Sequence, residues 1–388
     1  MLHLAKEKEI LEGTVTDVYF VRAKQILKKK GIRRRVKAEF VVKKFPQSWP
    51  YGVLAGIEEA ATLLLRLPVA VRAMPEGTLF RTGEPVMVIE GEYVDFIEFE
   101  TALLGLLCQA SGIATKASRC RKLAGDRSLF SFGSRRIHPV LAPMVERSAY
   151  LGGCDGVSSV KGASFIGIDP TGTMPHSLIL LLGSSEEAIR AFHEVIDKKV
   201  KRVSLIDTLG DEKFEAIQSA EALGKQLFGV RLDTPSSRRG NFVEILKEVR
   251  WELDLRGYQH VKLLVSGGID EADIPNLNPW VFGYGVGTSI SCASSIDFAM
   301  DIVEVEGKPV AKRGKLSGEK SVLRCQKCYH SEVIPQEKIS VRHRCNCGGK
   351  QAALLTPLLL GRKKVRSFPK AGRIREYVLA QLPHYPLA

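Results

Sequence analysis

The sequence predicts an α/β protein organised around a barrel, and three observations carry that reading. Between residues 128 and 295, apolar strand-like runs alternate with stretches of helical period, the pattern of parallel βαβ units. Nearly every run ends in a short motif of glycine, arginine, histidine or aspartate. A barrel collects such ends at one mouth, whereas an open doubly wound sheet concentrates its chemistry at a switch point. Outside this region the rhythm is different: mixed helix and strand before it, a cysteine cluster and basic stretches after it.

Taken in order, residues 17–30 have helical periodicity, and 36–43 is a near-continuous apolar run suited to a strand. Short strands at 69–73, 78–80 and 86–90 are divided by Pro75-Glu-Gly77 and Thr82-Gly-Glu-Pro85, which are turn sequences. Residues 96–111 form a long apolar helix and 113–123 another. The barrel strands are then expected at 129–132, 156–160, 203–206, 229–232, 262–265 and 280–284, with helices over 186–198, 213–223 and 242–256. The resulting division is 1–112, 113–300 and 301–388.

A chain of 388 residues exceeds one ordinary domain. Its net charge of +14 is unevenly placed. From Arg313 onward there are 16 Lys and Arg against 4 Glu, so the body before it is nearly neutral and the basic character belongs to the C-terminal segment. The apolar runs 178–183 and 354–360 are too short to span a bilayer and no leader pattern opens the chain, which predicts a cytoplasmic protein. Eight scattered and clustered cysteines in so long a chain do not make a secreted disulfide framework.

The strand-end motifs are Phe132-Gly-Ser-Arg135-Arg136, Gly172-Thr-Met-Pro-His176-Ser177, Asp207-Thr208, Arg231-Leu-Asp233-Thr234, Ser266-Gly267-Gly268 and Gly285-Val-Gly287-Thr288. Glycines after a strand let backbone N–H groups approach a phosphate closely, although one such glycine alone is usually just a turn. Arg135 and Arg136 offer rigid forks for carboxylate or phosphate, and Phe132 offers a face for a flat ring. Lys161 would add a phosphate contact or stand as a surface lysine. Asp207 and Asp233 suit Mg²⁺ or ribose hydroxyls, and equally suit helix N-caps. His176 fits a proton shuttle, a phosphate ligand or a phosphorylatable nucleophile, and the residues around it do not rank these. Cationic, carboxylate and glycine groups together describe a phosphoribosyl-transfer site.

Cys325-x2-Cys328, then sixteen intervening residues and Cys345-x-Cys347-Gly-Gly, has the spacing of a four-thiolate zinc site. His330 and His343 are the substitute ligands. Four thiolates leave no open position, so the metal is expected to be structural. The basic run Arg362-Lys-Lys-Val-Arg366 with Lys370, Arg373 and Arg375 resembles a nucleic-acid footprint, but only Phe368 and Tyr377 interleave it. A basic face docking on protein is the preferred reading, without a nucleic-acid partner.

These motifs resemble the nicotinate phosphoribosyltransferase family, in particular its archaeal-type branch with a C-terminal zinc-knuckle domain. The linked pair Phe-Gly-x-Arg-Arg and Gly-Thr-Met-Pro-His-Ser is the specific part, supported by Thr16-Asp17-Val-Tyr19, Glu100-Thr101 and Ser111-Gly-Ile-Ala-Thr115. The resemblance implies an N-terminal α/β sandwich, an open, irregular α/β barrel of the type II phosphoribosyltransferases and a zinc-knuckle appendage. It implies reaction of nicotinate with phosphoribosyl pyrophosphate in NAD salvage, with Mg²⁺ accompanying that substrate and ATP hydrolysis coupled through a phosphohistidine at His176. It also implies a homodimer or higher homo-oligomer with shared sites. Phe132 would stack on the pyridine ring and Tyr19 of a neighbouring copy would cover its other face. Arg135 and Arg136 would meet the nicotinate carboxylate or the pyrophosphate. Arg231 and Asp233, with Asp207, Thr234, Lys161 and Ser177 nearby, would contact the phosphoribosyl group. Ser266, Gly267, Gly268, Gly285, Gly287 and Thr288 would hold its 5′-phosphate. One departure stands out: where many relatives continue Arg-x-Asp with Ser-Gly-Asp, this chain has Asp233-Thr-Pro-Ser-Ser-Arg238-Arg239-Gly. Nicotinamide and quinolinate are the rival substrates within the same chemistry.

Overall fold

The computed structural model describes residues 2–340 and 344–387, so His343 lies outside the described residues. Contacts divide the chain into two compact units, Met1–Thr115 with Ser294–Ala388, and Lys116–Ala293.

The first unit is built on a seven-stranded antiparallel sheet. Its order is Lys308–Pro309, Phe298–Val305, Arg35–Val42, Pro85–Glu92, Ala70–Ala73, Thr356–Leu360, Lys363–Lys364. Alternation decides its faces. Val36, Ala38, Phe40 and Val42 point into the apolar core, where a fully buried phenylalanine contributes about 2–3 kcal/mol. Arg35, Lys37 and Glu39 point the other way and pair with Glu90 at 2.9 Å, Glu304 at 3.1 Å and Lys320 at 2.9 Å. The segment expected as a third domain over 301–388 thus contributes strands to this sheet, Thr356 opposite Ala73 and Val305 opposite Val36. It adds a three-stranded sheet, Ser331–Pro335, Lys320–Cys325, Gln351–Ala353, which carries the cysteines. Part of the basic run is consumed internally: the Arg366 guanidinium donates to the Ala73 carbonyl at 3.1 Å, and the Lys364 ammonium sits 5.3 Å from the Phe368 ring centre.

The two helices expected at 96–111 and 113–123 are one, Glu100–Ala124. Gly112 reads as a break, yet a Cβ there would lie 2.2 Å from the Ser294 carbonyl oxygen. The glycine permits a close backbone approach, not a turn. Tyr93–Ala124 is also long and apolar enough to cross a membrane by length and composition, which corrects the expectation that only short runs exist; 56% of its apolar window is buried inside the protein.

The second unit contains a six-stranded sheet in which every neighbour is parallel. The order is Gly156–Val157, Ser128–Ser131, Gly283–Val286, Lys262–Val265, Gly229–Leu232, Val203–Leu205. In chain order this is 2-1-6-5-4-3, so the first strand pairs with the last and there is no switch point. The sheet is an open barrel whose gap lies between its second and third strands. Three helices fill the intervening sequence, Val160–Ile166, His176–Leu182 and Ser185–Val195. Two strands differ from expectation. The run 156–160 gives only Gly156–Val157, because Ser159 caps the next helix by accepting from the Gly162 N–H. The last strand is Gly283–Val286, not 280–284, since Trp280 N–H closes a turn onto the Leu277 carbonyl.

Candidate active site

The ends of five of the six parallel strands, all but Val203–Leu205, open on one cavity of about 460 Å³. Phe132 follows the first strand, its ring stacked 6.1 Å from Phe130 at 15°. It reaches the cavity because Gly285, on the adjacent strand, has no side chain: a Cβ there would lie 2.3 Å from the ring. Arg135 and Arg136 form the short turn Ser134–Arg136 on the same wall and are exposed.

Arg231 lines the same cavity, largely buried, its guanidinium 5.9 Å from the Phe132 ring centre and donating to the Met174 carbonyl at 3.4 Å. Its Nε has no hydrogen-bond partner, and burial lowers its pKa. Asp233 and Asp207 supply charge nearby, and the unpaired Nε leaves a donor for an anion in the cavity. The floor is glycine backbone. Gly267 and Gly268 both have φ +77°, which glycine adopts without strain, and a Cβ on Gly267 would collide with the Asp233 carbonyl at 2.5 Å. Gly287 precedes the helical turn Thr288–Ser291, and both Gly287 and Thr288 line the cavity with Ser266.

The basic loop that departs from the family pattern acts from behind. Arg239 donates to the Thr234 carbonyl at 3.0 and 2.9 Å and also to the Gly267 carbonyl. That fixes the direction of the Gly267 peptide. Arg239 therefore braces the glycine loop, and burial lowers its pKa.

His176 opens the helix His176–Leu182 beside the cavity. Its Nδ1 lies 3.0 Å from Thr208 Oγ1 and 4.0 Å from Asp207 Oδ1, and its Nε2 lies 3.4 Å from Asp233 Oδ2. Asp233 also accepts from Ser266 Oγ at 2.6 Å, and its backbone N–H donates to Asp207 at 2.9 Å. Asp207 has a nearly inaccessible side chain with Oδ1 unpartnered, and burial pushes its pKa up to about 6 against the pull of His176. An imidazole held by a hydroxyl and flanked by two carboxylates has its ring fixed in one orientation, which suits proton transfer or phosphoryl acceptance.

His176 and Asp207 stand next to the cavity without lining it, and four more expected residues fall elsewhere. Thr234 is buried, does not line the cavity, and its hydroxyl donates to Glu212 at 2.7 Å. Ser177 is exposed one residue along the helix. Lys161 is exposed with its ammonium 4.8 Å from the Phe165 ring centre. Tyr19 belongs to the first unit, 59% exposed, with its hydroxyl donating to Asp17 at 3.4 Å. Residues the motifs did not reveal also contribute. Ser158 and Ser159 line the cavity. Buried Glu215 accepts from the Leu209 and Gly210 N–H groups at 2.7 and 2.5 Å, fixing the loop that presents Asp207 and Thr208. A single carboxylate on a helix gives no sequence signal of that kind.

In the first unit, one Sγ from each of Cys325, Cys328, Cys345 and Cys347 lies within 4.8 Å of the others. Cys325–Cys347 and Cys328–Cys345 are 3.5 Å apart, near the ~3.8 Å edge of a thiolate tetrahedron around zinc. The N–H groups of Lys327 and Cys328 donate to Cys325 Sγ and help lower its pKa. His330 is engaged through its carbonyl, which accepts from the Cys325 N–H. The four sulfurs suit a tetrahedral metal with no open position. Among the described residues this is the one such cluster.

Comparison with known proteins agrees with this geometry. Residues 17–111 match the quinolinate phosphoribosyl transferase N-terminal domain and 113–301 its C-terminal domain. A nicotinate phosphoribosyltransferase of Mycobacterium tuberculosis, pncB2, is 30% identical over 353 residues, covering 86% of this chain and 74% of that one. The Bacillus subtilis nicotinate phosphoribosyltransferase is 30% identical over 281 residues, 67% of this chain and 56% of its own. The crystal structure of nicotinate-nucleotide pyrophosphorylase from Pyrococcus furiosus is 53% identical, with a TM-score of 0.97 covering 100% of this chain and 99% of that one. Human nicotinic acid phosphoribosyltransferase shares the fold at 20% identity and a TM-score of 0.74, over 96% and 94% of the two chains. The chain belongs to the nicotinate phosphoribosyltransferase family, with the open parallel barrel of the type II phosphoribosyltransferases.

Proposed function

We propose that this enzyme transfers the phosphoribosyl group of phosphoribosyl pyrophosphate to nicotinate, giving nicotinate mononucleotide and pyrophosphate. One observation carries it: an aromatic face, three arginines and two glycine loops converge on a single cavity. The ring-nitrogen lone pair attacks C1 of the ribose while the C1–O bond to pyrophosphate breaks and its electron pair leaves with the pyrophosphate. No proton needs to move. The requirement is to aim the nitrogen, stabilise the departing charge and tolerate positive charge on the sugar, which positioning and electrostatics supply.

In this reading Phe132 stacks on the pyridine ring, Arg135 and Arg136 hold the carboxylate or the pyrophosphate, and Arg231 and Asp233 contact the phosphoribosyl group. The amides of Gly267, Gly268, Gly285 and Gly287 take the 5′-phosphate. Asp207 and Asp233 are the acidic groups beside any Mg²⁺ that accompanies the pyrophosphate. Energy coupling to ATP would run through His176, whose ring Thr208 and the flanking carboxylates hold in place. Zinc in the four-thiolate cluster would hold the three-stranded sheet together. Tyr19, exposed on its own unit, is assigned to the site of a second copy in a homo-oligomer. Pyrophosphate released from phosphoribosyl pyrophosphate only when nicotinate is added supports the reaction; release indifferent to nicotinate overturns it.

A further inference from the structure

We infer that Glu146, which lies outside every motif named above, is a positioning residue that locks the arginine turn of the cavity to its serine loop. The inference rests on the proposed reaction but concerns a different residue and a different effect.

Glu146 sits in the helix Ala142–Leu151 and is fully buried. Its Oε1 accepts from Ser134 Oγ at 2.5 Å, from Ser158 N–H at 3.1 Å and from Ser158 Oγ at 2.9 Å; Oε2 accepts from Ser159 N–H at 2.8 Å. All four donors are neutral and lie on two loops. Ser134 begins the turn that carries Arg135 and Arg136. Ser158 and Ser159 leave the strand Gly156–Val157. Gly162 closes over the carboxylate, since a Cβ there would stand 2.6 Å from Oε2.

The topology explains why such a link is needed. Gly156–Val157 is the edge strand at the barrel gap, two residues long and paired on one side only. No neighbouring strand fixes the loop that follows it. A buried acceptor that gathers donors from both loops replaces that missing neighbour, because leaving any of them unpaired in the interior is costly. The spacing between the guanidinium groups and Ser158–Ser159 is thereby set by one side chain. A glutamine there keeps the volume but turns an NH₂ toward donors.

The test measures KM for phosphoribosyl pyrophosphate and, separately, Kd for inorganic pyrophosphate by calorimetry. Variants are Ser134→Ala, Glu146→Gln, the double variant, and Ser148→Ala as a control. Ser148 is on the same helix and donates only along it, to Met144. Either single variant is expected to raise both constants about tenfold, the loss of a hydrogen bond to a charged group. The double variant should be no worse than the poorer single within about twofold, since both cut one link. Ser148→Ala should leave both constants unchanged. Lowered thermal stability with wild-type constants in Ser134→Ala and Glu146→Gln would reduce Glu146 to a structural residue and overturn the inference, as would effects that multiply. If Glu146→Gln does not fold, Ser134→Ala alone decides. A wild-type chain that binds pyrophosphate but does not convert nicotinate would sink the reaction and leave this measurement standing.

Discussion

Replacing Gly285 with alanine probes the link between strand geometry and ring binding. The added Cβ would stand 2.3 and 2.5 Å from two carbons of the Phe132 ring and 3.1 Å from Ser266 Cβ. Ordinary carbon contacts lie at about 3.5–4.0 Å, so something must shift by roughly 1 Å. The strand cannot yield easily: Gly285 is buried and pairs in register with Phe130, while Tyr284 pairs with Leu129. The ring yields instead. With Phe130 stacked at 6.1 Å and the Arg231 guanidinium at 5.9 Å, its open direction is the cavity. Overpacking of this size costs about 1–3 kcal/mol, or roughly 3–10 °C in the melting transition of a unit this large. The functional loss should exceed that, because misplacing a bound ring by ~1 Å can cost about a hundredfold in turnover. Steady-state kinetics with nicotinate varied at saturating phosphoribosyl pyrophosphate should show kcat/KM reduced about a hundredfold. Gly268→Ala is the comparison: its φ of +77° strains an alanine, yet its Cβ meets nothing within 4 Å, so Phe132 is undisturbed. That variant should lose affinity for phosphoribosyl pyrophosphate and keep its KM for nicotinate. A Gly285→Ala enzyme with wild-type nicotinate kinetics would refute the placement of the ring against Phe132.

Three further outcomes are expected. His176→Ala should abolish ATP stimulation of product formation while basal turnover persists, and undiminished stimulation in that variant would remove His176 from energy coupling. Because burial raises Asp207 to about 6, the unfolded chain releases this proton first; its contribution to stability is present below about pH 4 and lost as pH rises through 6. The stability of Asp207→Asn relative to wild type, followed by thermal melts, should therefore rise between pH 4 and 7 by up to about 3 kcal/mol, and a flat difference would contradict the burial argument. Cys325→Ser should lose metal by elemental analysis and loosen the three-stranded sheet, seen as faster hydrogen exchange over residues 320–353; retained metal would overturn the four-thiolate assignment.

The barrel was legible because its signals are local. Each strand is an apolar run ended by glycine or a charged residue, and periodicity needs no knowledge of distant sequence. The four cysteines were legible for the same reason, since two of their spacings fall within a few residues. What escaped depends on contacts distant in sequence. The sheet of the first unit joins strands some 270 residues apart, as in Val36 opposite Val305, and no periodicity announces such a pairing. Gly112 looked like a helix break when its role is to admit the Ser294 backbone. Glu146, Glu215 and Arg239 carry no motif, yet each side chain holds a loop through hydrogen bonds to its backbone. In the stretch where many relatives carry Ser-Gly-Asp, Arg239 turns back to donate to the Thr234 and Gly267 carbonyls, a contact that no local pattern announces.

The central claim concerns which pyridine this cavity accepts, and supplying nicotinate, nicotinamide and quinolinate separately with phosphoribosyl pyrophosphate tests it most directly. Mass analysis of the products should find nicotinate mononucleotide from nicotinate and no nucleotide from the other two. Consumption of quinolinate with release of carbon dioxide, while nicotinate stays untouched, would contradict the assignment.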